Sequence, residues 1–353
     1  MTGSARLLVT GGAGFIGANL ADRLASEGHE VVILDALKRP GVEENLAWLQ
    51  CRHGARIIAI RADIRDAAAV REAVRGAEGV FHLAAQVAVT TSMQDPAEDF
   101  GINLAGTFGL LEAVRTRAGG PCPVIFASTN KVYGDLGDVA MEQRGEAWAP
   151  VETGLRERGV PETRGLDFHT PYGVSKGAAE QYVLDWSRSF GVPGAVMRMS
   201  CIYGPRQMGT EDQGWVAHFL IRALKGEAIS IFGDGCQVRD ILHVEDAVAA
   251  WIAAWRRIGR VSGRAFNLGG GPANAVSLRQ VLAEIEAIAG RRIALEFSDW
   301  RPGDQRWYVS DTRRATAELG LRTPRPWREG LRHLAAWLRE ERGLRADADL
   351  VLP

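Results

Sequence analysis

Cysteine is scarce in this chain. There are four among 353 residues (Cys51, Cys122, Cys201 and Cys236), none close to another. Without a CxxC pair, neither a thiolate zinc site nor a redox couple is expected, and Cys122, at a strand start, reads as a small apolar residue. The seven histidines are scattered with no HxH or HExxH, so no metal is expected. An excess of one charge is also missing. The 42 Lys and Arg nearly balance 43 Asp and Glu, for a net charge of −1. That balance offers no attraction to nucleic acid or to a membrane surface. No apolar run approaches the roughly 18 residues of a membrane helix. The first, Leu7-Leu8-Val9, runs straight into glycines and does not form a signal peptide, so the default expectation is a cytoplasmic protein. Internal repeats and low-complexity tracts are lacking too.

What is present is alternation. Short apolar runs at 6–10, 31–35, 56–60, 79–83, 124–127 and 195–199 read as strands. Helical patterns fall between them, notably 15–26, 98–117 and 172–190. Strands without polar alternation are those covered on both faces, and strand–helix alternation means a parallel, doubly wound sheet. The fold class expected is α/β, Rossmann-like, with a smaller C-terminal α/β region for substrate. Residues 1–200 would bind a dinucleotide, with 240–270 returning to that layer. Residues 201–239 and 271–353 would form the substrate region. The polar insertion 136–170 shows no clear periodicity and reads as an irregular cover over substrate.

The stretch TGGAGFIG, Thr10 to Gly17, joins the first strand to the first helix. Gly11, Gly14 and Gly17 permit a tight turn and close backbone approach, and the helix start at Phe15 and Ile16 offers unpaired N–H groups to a pyrophosphate. Asp35 ends the next strand, where a carboxylate can accept from ribose hydroxyls and would repel a 2′-phosphate, favouring NAD over NADP. Lys38 and Arg39 lie close enough to soften that preference. Asp63 and Ile64 are placed to meet the adenine, with a helix N-cap before Ala67 as the alternative role for Asp63. Leu83, Ala84 and Ala85 end the fourth strand with small residues that would let the cofactor lie close. His82 reads as a packing residue.

Tyr172-Gly173-Val174-Ser175-Lys176 opens a helix that Thr170 can cap and Pro171 can start. The i, i+4 spacing puts Tyr172 and Lys176 on one face. A phenol is only about 0.1% ionised at neutral pH, and lowering its pKa by about three units takes roughly 4 kcal/mol. A neighbouring ammonium and a cationic nicotinamide could supply that, making Tyr172 an acid–base group for a sugar hydroxyl.

Taken together, TGGAGFIG, Asp35, FHLAAQ, Asn103, STNKVYG, Tyr172/Lys176 and Arg239-Asp240 resemble the extended short-chain dehydrogenase/reductases of the nucleotide-sugar epimerase/dehydratase type. The resemblance implies tightly bound NAD, regenerated at each turnover, and a nucleotide-diphosphate sugar as substrate. It implies that Asn103 serves the cofactor site, that Thr129 bonds the reacting hydroxyl beside Tyr172, and that Lys176 also holds the nicotinamide ribose. It places Tyr203-Gly204-Pro205, Arg239 and Arg301 toward the diphosphate, where a guanidinium fork suits phosphate. It also implies a homodimer or homotetramer joined through helices 98–117 and 172–190. Cys201 departs from the pattern, since many relatives carry asparagine there.

Asn130 and Lys131, directly after Thr129, separate two reactions. Sugar 4,6-dehydratases carry acidic residues at these positions to eliminate water. An amide and an amine cannot do so, which leaves oxidation of an alcohol and return of hydride, that is, epimerisation. Which carbon is inverted is not readable from the residues alone. STNKVYGDL, LDFHTPYG and YGPRQMGTEDQGWVAHF resemble the group that inverts C2 of CDP-paratose, the CDP-tyvelose epimerases. That likeness implies substrate roles for Asn130, for Gln207, and for Gln213 and Trp215 in DQGWV, Asp212 to Val216, with helix capping or core packing as the alternative for the last two. A 4-epimerase of the UDP-hexose type is the competing enzyme. A catalytically silent NAD-binding sensor is the competing reading of another class.

Overall fold

The computed structural model describes residues 3–210, 213–301 and 303–344. Seven parallel strands form the central sheet. In chain order they are β1 (Arg6–Thr10), β2 (Glu30–Asp35), β3 (Ile57–Arg61), β4 (Gly79–His82), β5 (Val124–Thr129), Gly194–Met199 and Arg264–Leu268. Across the sheet, β1 lies beside β2 and then β3 on one side. On the other side come β4, β5, Gly194–Met199 and Arg264–Leu268. The order reverses between β1 and β4, so a crevice opens at their C-terminal ends, where ligands bind in sheets of this kind.

Each face of the sheet buries its own core. Helices α1 (Phe15–Ser26) and Val244–Arg256 cover one face, with Leu20, Leu24, Trp251 and Trp255 packed on Leu7, Val9 and Phe81. Helix α3 (Ala67–Val74), Gly106–Thr116 and Thr170–Ser189 cover the other, with Val70, Leu110 and Val183 on Val80, Val124 and Phe126. The doubly wound expectation holds, and it holds because the middles of the strands are apolar on both faces of the sheet.

A third core joins Trp215–Lys225, Leu278–Ala289 and Trp327–Arg342, each an amphipathic helix. These pack beside a smaller sheet in which Val238–His243 pairs with Ala275–Ser277, Trp307–Tyr308 and Cys201–Tyr203. Two local expectations need correction. The 98–117 helix is not continuous: Pro96–Asp99 leads into a π-helical stretch, Phe100–Ala105, and then Gly106–Thr116. The insertion is not irregular either. It contains the hairpin Met141–Arg144 with Ala147–Pro150 and the helix Thr153–Arg158. Trp148 ties it down, with its backbone N–H on Cys236 O at 2.9 Å and its indole on Asp234 Oδ2 at 2.7 Å.

Candidate active site

The crevice between β1 and β4 is lined by backbone. Gly11 has φ +69°, and a Cβ there would stand 2.7 Å from Ala84 N, so the β1 turn and the segment Leu83-Ala84 meet in direct contact. At Gly17 a Cβ would reach 2.2 Å from Gly11 O. Gly14 is the N-cap of α1. No side chain caps this end and no acidic residue lies in the first turn, so the N–H groups of Phe15 and Ile16 are left for a ligand. Uncapped donors at the positive end of a helix fit a pyrophosphate. Asp35 braces the same turn by accepting from Ala13 N at 3.0 Å and Leu37 N at 2.9 Å.

Around the adenine end the charges pair among themselves. Lys38 Nζ lies 3.0 Å from Asp63 Oδ2 and 3.4 Å from Glu98 Oε1. Asp63 also takes Arg65, whose guanidinium holds that carboxyl well below the usual range, with Lys38 assisting. The N-cap alternative for Asp63 is corrected: Asp66 caps α3, accepting from Ala68 N and Ala69 N. Ile64 is buried against Gly106, at which a Cβ would clash with it at 2.8 Å. Asn103 is buried as well. Its Nδ2 donates toward Gln86 O, Asp99 Oδ1 and Ser175 Oγ at 3.0–3.1 Å, and its Oδ1 accepts from Gln86 N. It therefore clamps the segment after Ala85 onto the helix Thr170–Ser189. His82 is enclosed between the hydroxyls of Thr10 and Thr107, and burial lowers its pKa to about 3.

The helix Thr170–Ser189 starts under strain. Thr170 is β-branched yet has φ +62°, a conformation that costs about 1–3 kcal/mol. The backbone cap is His169, one residue earlier than expected, but the Thr170 hydroxyl still accepts from Gly173 N at 3.4 Å. Tyr172 N donates to Ser92 Oγ at 3.2 Å. Thr129, the last residue of β5, stands beside Tyr172 and acts to lower the phenol pKa, while its own hydroxyl donates to Asn130 Oδ1 at 3.4 Å. One turn on, Lys176 is buried with its amine 4.2 Å from the centre of the Phe126 ring.

The electrostatics differ from the expectation. Burial pushes the Tyr172 phenol up to about 12; the Thr129 hydrogen bond lowers it and Asp99 raises it. Burial likewise lowers Lys176 to about 7, against the pull of Asp99 and Glu180. Desolvation disfavours phenolate and ammonium alike. The chain's own groups thus hold the proton on Tyr172 at neutral pH, and the acidity expected from Lys176 does not appear.

Two buried carboxylates that sequence reading missed lie beside this helix and on it. Asp99 accepts from Ser175 Oγ at 2.5 Å. Glu180 accepts from Ser128 Oγ at 2.6 Å and pairs with Arg198 at 2.7 Å, and Arg198 continues to Tyr133 OH and on to Asn267. The continued i, i+4 spacing 172-176-180 was the available signal for Glu180.

The substrate end is built from side chains that cross the molecule. Asn130 Nδ2 donates to Gln305 Oε1 at 3.3 Å, and Lys131 Nζ donates to Gly303 O at 2.9 Å. Arg239 is buried with Nη2 on Asp304 Oδ1 at 2.5 Å. Asp304 and Gln305 were not singled out, although they stand three and four residues after Arg301; Pro302, in between, lies outside the described residues. The Arg301 guanidinium stacks 3.8 Å over the Phe232 ring. Gln207 is buried with Oε1 unpartnered, and its Nε2 reaches Ile202 O. The Trp215 indole donates to Cys201 Sγ at 3.4 Å and packs edge-on against Phe219. Gln213 pairs its backbone with Thr210, while Asp212 lies outside the described residues. Among the described residues, His243, Glu245 and His333 cluster closely enough to hold a metal. Their hydrogen bonds account for the cluster: His243 accepts from Glu245 N at 3.3 Å and faces His333 Nδ1 at 3.1 Å, while Glu245 is held by Arg325.

Comparison with known proteins places this arrangement. The chain is 38% identical to the CDP-paratose 2-epimerase of Salmonella typhi, over 94% of this chain and 98% of that one. It is 33% identical to a dTDP-glucose 4,6-dehydratase of Streptomyces griseus, over 95% and 94%. The structure of the Thermus thermophilus UDP-glucose 4-epimerase in complex with NAD superposes with a TM-score of 0.79 at 31% identity, covering 95% of this chain and 99% of that one. NAD is the cofactor of the group, and a nucleotide sugar is the substrate class. The sequence model for the NAD dependent epimerase/dehydratase family matches residues 7–269, and the chain belongs to that family.

Proposed function

We propose that this chain is an isomerase that inverts C2 of CDP-paratose or a similar CDP-hexose through a transient ketone. The observation that carries the epimerase reading is the turn after the Thr129–Tyr172 pair. Asn130 and Lys131 fill the positions where elimination needs a carboxylic acid and a base, and both are engaged with residues 303–305. The likeness to the Salmonella C2 epimerase along nearly the whole chain favours C2.

In this reading Tyr172 Oη receives the proton of the C2 hydroxyl, with Thr129 aligning that hydroxyl, and later gives a proton back. Bound NAD would supply the hydride acceptor and donor for C2 and a positive charge favouring the phenolate. Lys176 holds the nicotinamide ribose. Gly11, Gly14, Phe15, Ile16, Gly17, Asp35, Lys38, Asp63, Ile64, Leu83, Ala84 and Ala85 form the cofactor cleft, with Asn103 as its clamp. Asn130, Gln207, Gln213, Trp215, Arg239 and Arg301 face the nucleotide sugar. Residues 1–200 with 240–270 would serve the cofactor, and the remainder the substrate.

Product identity by NMR tests this. Incubation with CDP-hexoses should give inversion at C2 with no loss of water. Inversion at C4 of a UDP-hexose alone would favour the second reading, which the likeness to the Thermus enzyme supports. The exposed aromatics Phe108, Tyr182 and Phe190, packed around Trp186 on the outer faces of Gly106–Thr116 and Thr170–Ser189, support pairing of two copies there. Sedimentation would show a dimer or tetramer. A cytoplasmic setting accords with such a substrate.

A further inference from the structure

Lys131 follows Thr129 by two residues, and its amine is turned inward toward residues 303–305. Nζ bonds Gly303 O at 2.9 Å and lies 4.0 Å from Asp304 Oδ1. That same oxygen accepts from Arg239 Nη2 at 2.5 Å. Two cations thus share one carboxylate oxygen. The other titratable groups that face Lys131 are Cys201, whose thiol burial pushes up, and Asp135, which is exposed. Asp240, next to Arg239, is committed to Ser200 and to Gly271 N. The cluster therefore holds one more positive charge than Asp304 neutralises, and the Arg239 side chain is only 8% exposed. Charge withdrawn from water is costly unless it is paired. An excess cation on the turn that follows Thr129 suits a site whose ligand is an anion.

We propose that Lys131 is a specificity-determining residue that binds the sugar-side phosphate of the substrate, next to Arg239, and so brings C2 to Tyr172 in preference to C4. This rests on the C2 reading above. The geometry behind it is simple. The reacting carbon lies at Thr129 and Tyr172, and Lys131 is within two residues of Thr129. C2 is bonded to the anomeric carbon that carries the diphosphate, whereas C4 lies across the ring from it. An ammonium anchored this close to the reacting centre can hold the glycosidic phosphate only when the reacting carbon is near the anomeric end. Asp304 is the internal stand-in for that phosphate.

Burial lowers the Lys131 amine to about 8. A phosphate beside it raises it again, so binding takes up a proton. Affinity is full below about pH 8 and declines as pH climbs past that value.

Calorimetric titration of the NAD-loaded protein with CDP-glucose, CDP and CMP, near pH 8 in two buffers of different ionisation enthalpy, reads both effects. CDP-glucose should take up protons and CMP should not. Lys131→Gln should weaken CDP-glucose roughly ten- to hundredfold and abolish the uptake, while CMP binding, which reports a folded site, stays unchanged. Lys131→Arg should restore affinity without the pH dependence, and Cys201→Ser should retain the uptake. Unchanged CDP-glucose affinity and uptake in Lys131→Gln overturns the phosphate contact, whichever carbon is inverted. Inversion at C4 alone by the unaltered protein overturns the C2 assignment and the regiochemical half of this proposal.

Discussion

The two ends of the cleft are built from different materials. The cofactor end is mostly backbone: glycines that admit no Cβ, an uncapped helix start, and a carboxylate at Asp35 spent partly on bracing the turn. The end proposed for substrate is mostly side chain, with Lys131, Asn130 and Arg239 reaching across to residues 303–305. Backbone recognition suits a ligand that never varies. Side-chain recognition can be retuned one residue at a time, and the relatives named above differ in the sugar nucleotide they act on.

Each end can be broken separately. The largest effect expected is at the shared centre: Tyr172→Phe should cut turnover by roughly 10²–10⁴-fold while bound NAD, read from the absorbance of the denatured protein's supernatant, is retained. Full activity in that variant would refute the acid–base assignment. On the side-chain side, Glu180→Ala strands Arg198 in a site where its side chain is 5% exposed. Removing one partner of such a pair costs about 3–5 kcal/mol, so the melting temperature should fall sharply, and an unchanged value would mean that water reaches Arg198.

On the backbone side, Gly11→Val meets Ala84 N and an unfavourable φ. The backbone strain alone is about 1–3 kcal/mol, and NAD should be lost from the purified protein. Retention of NAD would show that the turn can shift. The smallest effect is on the pH dependence of stability. Lys176 titrates near 7 in the folded chain against an ordinary value of 10.5. Between those values the unfolded state binds more protons, so stability rises with pH. Melting curves of cofactor-stripped protein should show this rise shrinking in Lys176→Met, and an equal slope in both would place the lysine in water.

Legibility in the sequence followed the same division. The strand-turn-helix at 6–26 and the acidic end of β2 were readable because their causes lie within a few residues. The strand β5 ran two residues further than its apolar run suggested, to Thr129, because Ser128 is satisfied by Glu180 and Thr129 by Asn130 and the Lys131 N–H. The π-helical Phe100–Ala105 left no local trace. It accompanies the clamp made by Asn103 and the close packing of Gly106 on Ile64, both contacts with distant segments. The hairpin within 136–170 escaped notice for the same reason: its strands are four residues each, and its anchor is Trp148 on Asp234.

By itself the amino-acid order determined the fold class, the dinucleotide turn and the alignment of Tyr172 with Lys176, since periodicity and backbone freedom act over one or two turns of chain. Only the folded molecule decided that burial raises the Tyr172 phenol, that Glu180 meets Arg198, and that Lys131 grips Gly303, 172 positions away. Burial and charge pairing are sums over everything nearby in space, and no local stretch of sequence contains them.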